Sequence, residues 1–135
     1  MRDDIMSPRR RKKQEMQETT SVHPYDPYIP KGATKLIIGT MPPLRFCITQ
    51  QNTTRQDLCP GDVDYYYGSY RNNFWHLVSE ATGTILAFEN TKAAVKQRKD
   101  LLKDLNMGII DVIKICSRKE GKSKTCESKT SHHIW

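Results

Sequence analysis

No apolar run in this 135-residue chain approaches the roughly 20 residues of a membrane span. The charged N-terminus is not followed by the apolar stretch of a secretory signal, so neither secretion nor membrane insertion is expected. Hydrophobic residues make up only 36% of the chain and the mean hydropathy is −0.71, too little for every segment to pack. The four cysteines, Cys47, Cys59, Cys116 and Cys126, show no C-x-x-C pairing, which fits incidental thiols in a reduced, intracellular protein. Cys116, Cys126, His132 and His133 match no standard zinc spacing, so no metal site is expected. No Gly-x-Gly-x-x-Gly or P-loop sequence follows the apolar run Leu36–Ile38, which excludes the usual phosphate-cradling nucleotide folds. The length admits one domain at most.

Positive charge is what the chain does have, and its location matters more than the net +7. Residues 1–13 hold six Lys/Arg against two Asp, and residues 114–129 hold six against two Glu. The remainder is therefore slightly negative. Basic ends of this kind can neutralise nucleic-acid phosphates, and Arg9, Arg10, Arg11, Lys12 and Lys13 form the densest cluster. A solvated tail without a partner is the alternative. The same cluster would serve as a nuclear-import signal, so the expected compartment is cytoplasmic with nuclear as the alternative.

Along the chain, residues 1–22 read as a disordered basic tail, 23–116 as an α/β domain and 117–135 as an irregular, polar, basic tail. His23–Ala33 (HPYDPYIPKGA) carries three prolines and reads as an extended lead-in, because proline disfavours helix at and before itself. Leu36–Ile38, ending at Gly39, suits a buried parallel strand. Residues 40–71 lack periodicity, and a connection of that length is either functional or disordered. Phe74, Leu77, Val78 and Ala81 fall at helical spacing and Gly83 stops the helix; a second helix is expected over Thr91–Leu105, with Ala94, Leu101, Leu102 and Leu105 on one face. Gly108–Ile115 reads as another strand, giving a βαβ-type unit.

Two motifs carry the chemistry: LIIGTMPP over Leu36–Pro43 and YYYGSYRNNFW over Tyr65–Trp75. Together they resemble the uracil-DNA glycosylase superfamily. The mismatch-specific uracil/thymine branch reads Gly-x-Asn-Pro-Gly and later Asn-x-Phe-Trp. The hypoxanthine branch reads Gly-Ser-Met-Pro-Gly. The counterparts in this chain are Gly39–Pro43 and Asn72–Trp75. The resemblance spans residues 23–123 and implies an α/β, three-layer αβα domain with a short parallel sheet. The text beyond Ser123 departs from the family, which normally continues with two more parallel strands and a His-Pro-Ser-type loop. A partial fold, truncated or frameshifted with its C-terminal half missing, is therefore expected.

The resemblance also implies hydrolysis of the N-glycosidic bond of a deaminated base, uracil or hypoxanthine, in base-excision repair. The partner is DNA with a damaged base, bound by a monomer that needs no cofactor. Gly39, Thr40, Met41 and Pro42 would form the first site loop. Met41 stands where the mismatch-specific branch has a water-activating Asn, and a thioether cannot orient water. Asn72 then falls to that role, as in the hypoxanthine branch. Tyr67 would stack on the extruded base, or Tyr66 if the loop slips by one residue. The alternative function is a catalytically inactive half-domain that binds nucleic acid through its basic ends.

Ordinary structural roles compete at each position. Asn72 or Asn73 could cap the helix at Phe74, since Asn is favoured there. Tyr65–Tyr67 could be an edge strand, and Phe74 and Trp75 packing residues. Asp111 could be a plain strand-end carboxylate, and Asp62 and Asp64 exposed loop acids.

Overall fold

The computed structural model describes residues 18–55 and 57–119. Its elements run β1 (Glu18–Val22), β2 (Lys35–Gly39), a single 3-10 turn (Leu44–Phe46), α1 (Phe74–Thr82), α2 (Lys92–Asp104), β3 (Met107–Asp111) and β4 (Ile115–Lys119). The fold is mixed α/β. β2 and β3 pair in parallel, Leu36 beside Gly108 and Gly39 beside Asp111, while β1 and β4 pair antiparallel.

Three expectations about boundaries are corrected. The tail expected over 1–22 ends in a strand, because Thr19, Thr20 and Val22 are β-formers that find partners in Arg118, Ser117 and Ile115. The expected C-terminal tail likewise begins with strand residues Ser117–Lys119. The single strand expected over 108–115 is two, since the chain turns after Asp111 and β4 joins the other sheet. Arg9–Lys13, Cys126, His132 and His133 lie outside the described residues.

Both helices form where hydrophobic spacing puts them. α1 ends at Gly83, whose φ of 68° is the left-handed geometry that glycine tolerates. α2 starts at Thr91, whose side-chain oxygen accepts from the Ala94 amide at 3.1 Å. α2 turns Ala94, Arg98, Leu101 and Leu102 inward, where they meet Trp75 and Ile109 in one core. Leu77, expected on the inner face of α1, is exposed, and Trp75 takes its place with its indole N–H donating to the Tyr66 carbonyl at 2.6 Å. Ile37 and Ile109 face this core. Leu36 and Ile38 alternate to the other face of the parallel pair and are exposed.

The long connection between β2 and α1 is ordered by two ion pairs. Arg45 donates through Nε and a terminal nitrogen to both oxygens of Asp62, at 2.9 and 3.0 Å. Asp62 is fully buried and also accepts from the Cys59 and Tyr70 amides, each at 2.8 Å. Arg55 pairs with Asp64, which also accepts from the Tyr25 hydroxyl at 2.6 Å. Neither acid is a free loop carboxylate, contrary to the sequence expectation. Each ties distant parts of the connection together. Cys59 is also disulfide-bonded, so the expectation of four incidental thiols is corrected; Cys47 and Cys116 are free.

Candidate functional site

The site forms where β2 and β3 end, because parallel pairing brings Gly39 level with Asp111. The Val112 amide donates to the Gly39 carbonyl at 3.0 Å and the Ile113 amide to the Thr40 carbonyl at 3.2 Å, holding the strand ends together. The carboxyl ends of parallel strands are the usual place for a ligand crevice in α/β sheets. Glycine at position 39 leaves room for two side chains. A Cβ there would collide with Asp111 Oδ1 and with the Tyr67 hydroxyl.

Tyr67 reaches the strand ends from a tight turn. The Gly68 amide donates to the Tyr65 carbonyl at 3.0 Å and the Val63 amide to the Gly68 carbonyl at 2.8 Å. Tyr67 itself has a φ of 56°, a left-handed conformation that side chains other than glycine rarely adopt. Such strain persists only where surrounding contacts enforce it, and it concentrates at functional positions. The Tyr67 ring lies 4.6 Å from that of Phe74. Burial, and then the nearby Asp111 charge, raise the pKa of its hydroxyl, so it remains a neutral phenol at ordinary pH.

Asn72 enters from the start of α1, where its side-chain oxygen accepts from the Phe74 amide at 2.8 Å. The capping role weighed for Asn72 is thus realised, while Asn73 makes no side-chain cap. Capping and lining the site are compatible here, because the Asn72 amide nitrogen is not used by the cap.

These pieces converge on one cleft, whose walls include Pro42, Pro43, Phe46, Tyr67, Asn72 and Asp111. The cleft has room for about one water molecule. The described residues contain no group of three or more His, Cys, Asp or Glu that could hold a metal ion.

Comparison with protein-family models, curated proteins and solved structures returned no match. The functional reading therefore stands on residues and geometry.

Of the residues expected from sequence, Pro42, Tyr67 and Asn72 line the cleft, and Gly39 packs against two of its walls. Thr40 is exposed and Met41 is buried; neither is among the lining residues. Tyr66 is not an alternative stacking residue. It is buried against His23 and Tyr25, with ring centroids 5.4 and 5.3 Å away. Nor is Tyr65–Tyr67 an edge strand; the three tyrosines form a turn, because Gly68 closes it.

Sequence reasoning missed His23. Its Nε2 lies 2.6 Å from Asp111 Oδ2, and both side chains are almost wholly buried, at 5% and 3% exposed. A histidine opening a proline-rich lead-in, 88 positions from an acid at a strand end, gives no local signal of that pairing.

Proposed function

We propose that this chain is a DNA glycosylase-like protein that takes up an extruded, deaminated base (uracil or hypoxanthine) and hydrolyses its N-glycosidic bond. The observation that supports the reading is the convergence of Tyr67, Asn72 and Asp111 with Pro42 and Pro43 on one cleft. An enzyme acting on a base must take it out of the stack and offer a π face and hydrogen bonds in exchange. Tyr67 supplies the face, and stacking of this kind is worth roughly 1–3 kcal/mol per base. The reaction leaves negative charge on the departing base, and a preorganised donor at that point is the largest expected rate term. Asn72 supplies it through its amide nitrogen, since its oxygen is engaged by the helix start. That assignment shifts Asn72 from holding the water to holding the base. The absence of a side chain at Gly39 lets Asp111 and Tyr67 stand close against the strand end.

A second reading, nucleic-acid binding without turnover, is favoured by Met41, which brings no polar group to the turn. One experiment separates the two. Oligonucleotides with a single uracil or hypoxanthine are incubated with the protein and then treated with alkali. Strand breaks at the modified site that disappear with Asn72→Ala support the glycosylase. Retention of the oligonucleotide with no breaks above that variant favours the binding module.

A further inference from the structure

We propose that Asp111 is the residue that orients the attacking water, and that His23 is the positioning residue that leaves one Asp111 oxygen available for it. The inference rests on the glycosylase reading and adds to it the nucleophile's partner.

The hydrogen bonds around His23 engage both ring nitrogens. Nδ1 lies 3.1 Å from both the Tyr25 amide nitrogen and the Tyr25 carbonyl oxygen, and Nε2 lies 2.6 Å from Asp111 Oδ2, where it is the donor whenever the carboxylate is ionised and can only accept. The ring is held in place by Tyr25 and Tyr66, with centroids 5.7 and 5.4 Å away, and by its own backbone amide, which donates to the Lys114 carbonyl at 2.7 Å. Asp111 therefore cannot rotate freely. Its other oxygen, Oδ1, lies against Gly39, is buried and has no hydrogen-bond partner among the described residues. Asp111 lines the cleft, and a buried acceptor left unpaired is costly and calls for a donor.

Water fits that description, and the cleft has room for about one molecule. Other groups are excluded by their partners. Asp62 and Asp64 are held by Arg45 and Arg55, Met41 has no polar atom, and the Asn72 oxygen already accepts from Phe74. Asp111 is the only carboxylate among the residues lining the cleft. A water donating one hydrogen to Oδ1 turns a lone pair toward the sugar. Its oxygen forms a bond to C1′ as the C1′–N bond breaks, and that electron pair leaves on the base. The water's proton passes to Oδ1 and from there to the departed base or to solvent. The carboxylate charge also stabilises the cationic sugar.

The test is single-turnover cleavage of a single-stranded oligonucleotide bearing one uracil or hypoxanthine. Alongside it, binding is measured to the same oligonucleotide with a 2′-fluoro sugar that resists cleavage. Asp111→Asn keeps the shape and can still accept from His23, yet it cannot take a proton; its rate should fall by about 100-fold or more with binding unchanged within about twofold. His23→Ala should lower the rate by about 10- to 100-fold. His23→Gln, whose amide can still donate to Oδ2, should recover most of that loss. An Asp111→Asn rate within about threefold of wild type, with Asn72→Ala silent, would overturn the role of Asp111 alone. If Asp111→Asn does not fold, equal rates for His23→Ala and His23→Gln overturn the proposal. A wild-type chain that releases neither base removes the glycosylase reading and this assignment with it.

Discussion

At the scale of single residues, the site depends on which atoms are already engaged. Asn72 illustrates the point, because its oxygen caps α1 and its nitrogen is what remains for a ligand. The two functions separate in Asn72→Asp, which keeps the cap acceptor and loses the donor. Its unfolding free energy should stay within about 0.5 kcal/mol of wild type, since Asn and Asp cap equally well. Its rate of base release should fall by about 100-fold, as for loss of one preorganised donor. Parallel denaturation and cleavage measurements check both halves. Tyr67 and Asn72 were legible in the sequence because a Gly, an amide and aromatic rings lie within eleven positions. His23 and the orphaned oxygen of Asp111 were not, because their partnership exists only once β3 has been laid beside the lead-in through the Tyr28–Ile109 bridge.

Among elements, the helices were legible to within a residue or two, since helical spacing, a Thr start and a Gly stop all agree. The β1–β4 pair was not: Glu18–Val22 and Ile115–Lys119 are largely polar, so neither shows the alternation that marks a half-buried strand. Acids in the connection before α1 looked like solvated loop residues because nothing in sequence joins Arg45 to Asp62. In the fold they make the connection a rigid wall of the cleft. Asp62→Ala would leave Arg45 buried without its partner, and breaking a buried pair in this way costs about 3–5 kcal/mol. Urea denaturation should show that loss. A change below about 1 kcal/mol would mean the connection is held by something else. Arg98 is the opposite case. It is buried beside the Trp75 and Phe88 rings, and burial lowers its pKa to about 10; two of its nitrogens have no hydrogen-bond partner among the described residues.

For the molecule as a whole, the helices cover one face of the parallel pair, while Leu36 and Ile38 stand 46% and 62% exposed on the other. Parallel sheets are normally covered on both faces, and an apolar strand on an open edge templates association. Among the described residues β2 pairs only with β3. Ile38→Lys should therefore reduce light scattering at high protein concentration with unchanged far-ultraviolet dichroism. Undiminished scattering would place the sticky surface elsewhere. The sequence conveyed the α/β class and one parallel pair, but not this imbalance, because Leu36, Ile37 and Ile38 are equally apolar and only the register decides which of them faces the core.

Placement of an extruded base on the Tyr67 ring, between Asn72 and Asp111, is what the proposed activity requires. Nuclear Overhauser contacts would test it most directly, measured between labelled protein and a single-stranded oligonucleotide containing one 2′-fluoroarabino-uridine, whose fluorine slows loss of the base. Cross-peaks are expected from the uracil ring protons to the Tyr67 ring at saturating oligonucleotide, and they should be lost when the modified nucleotide is replaced by an abasic one. Uracil protons that contact only their neighbouring bases, with Tyr67 unperturbed in the bound state, would contradict it.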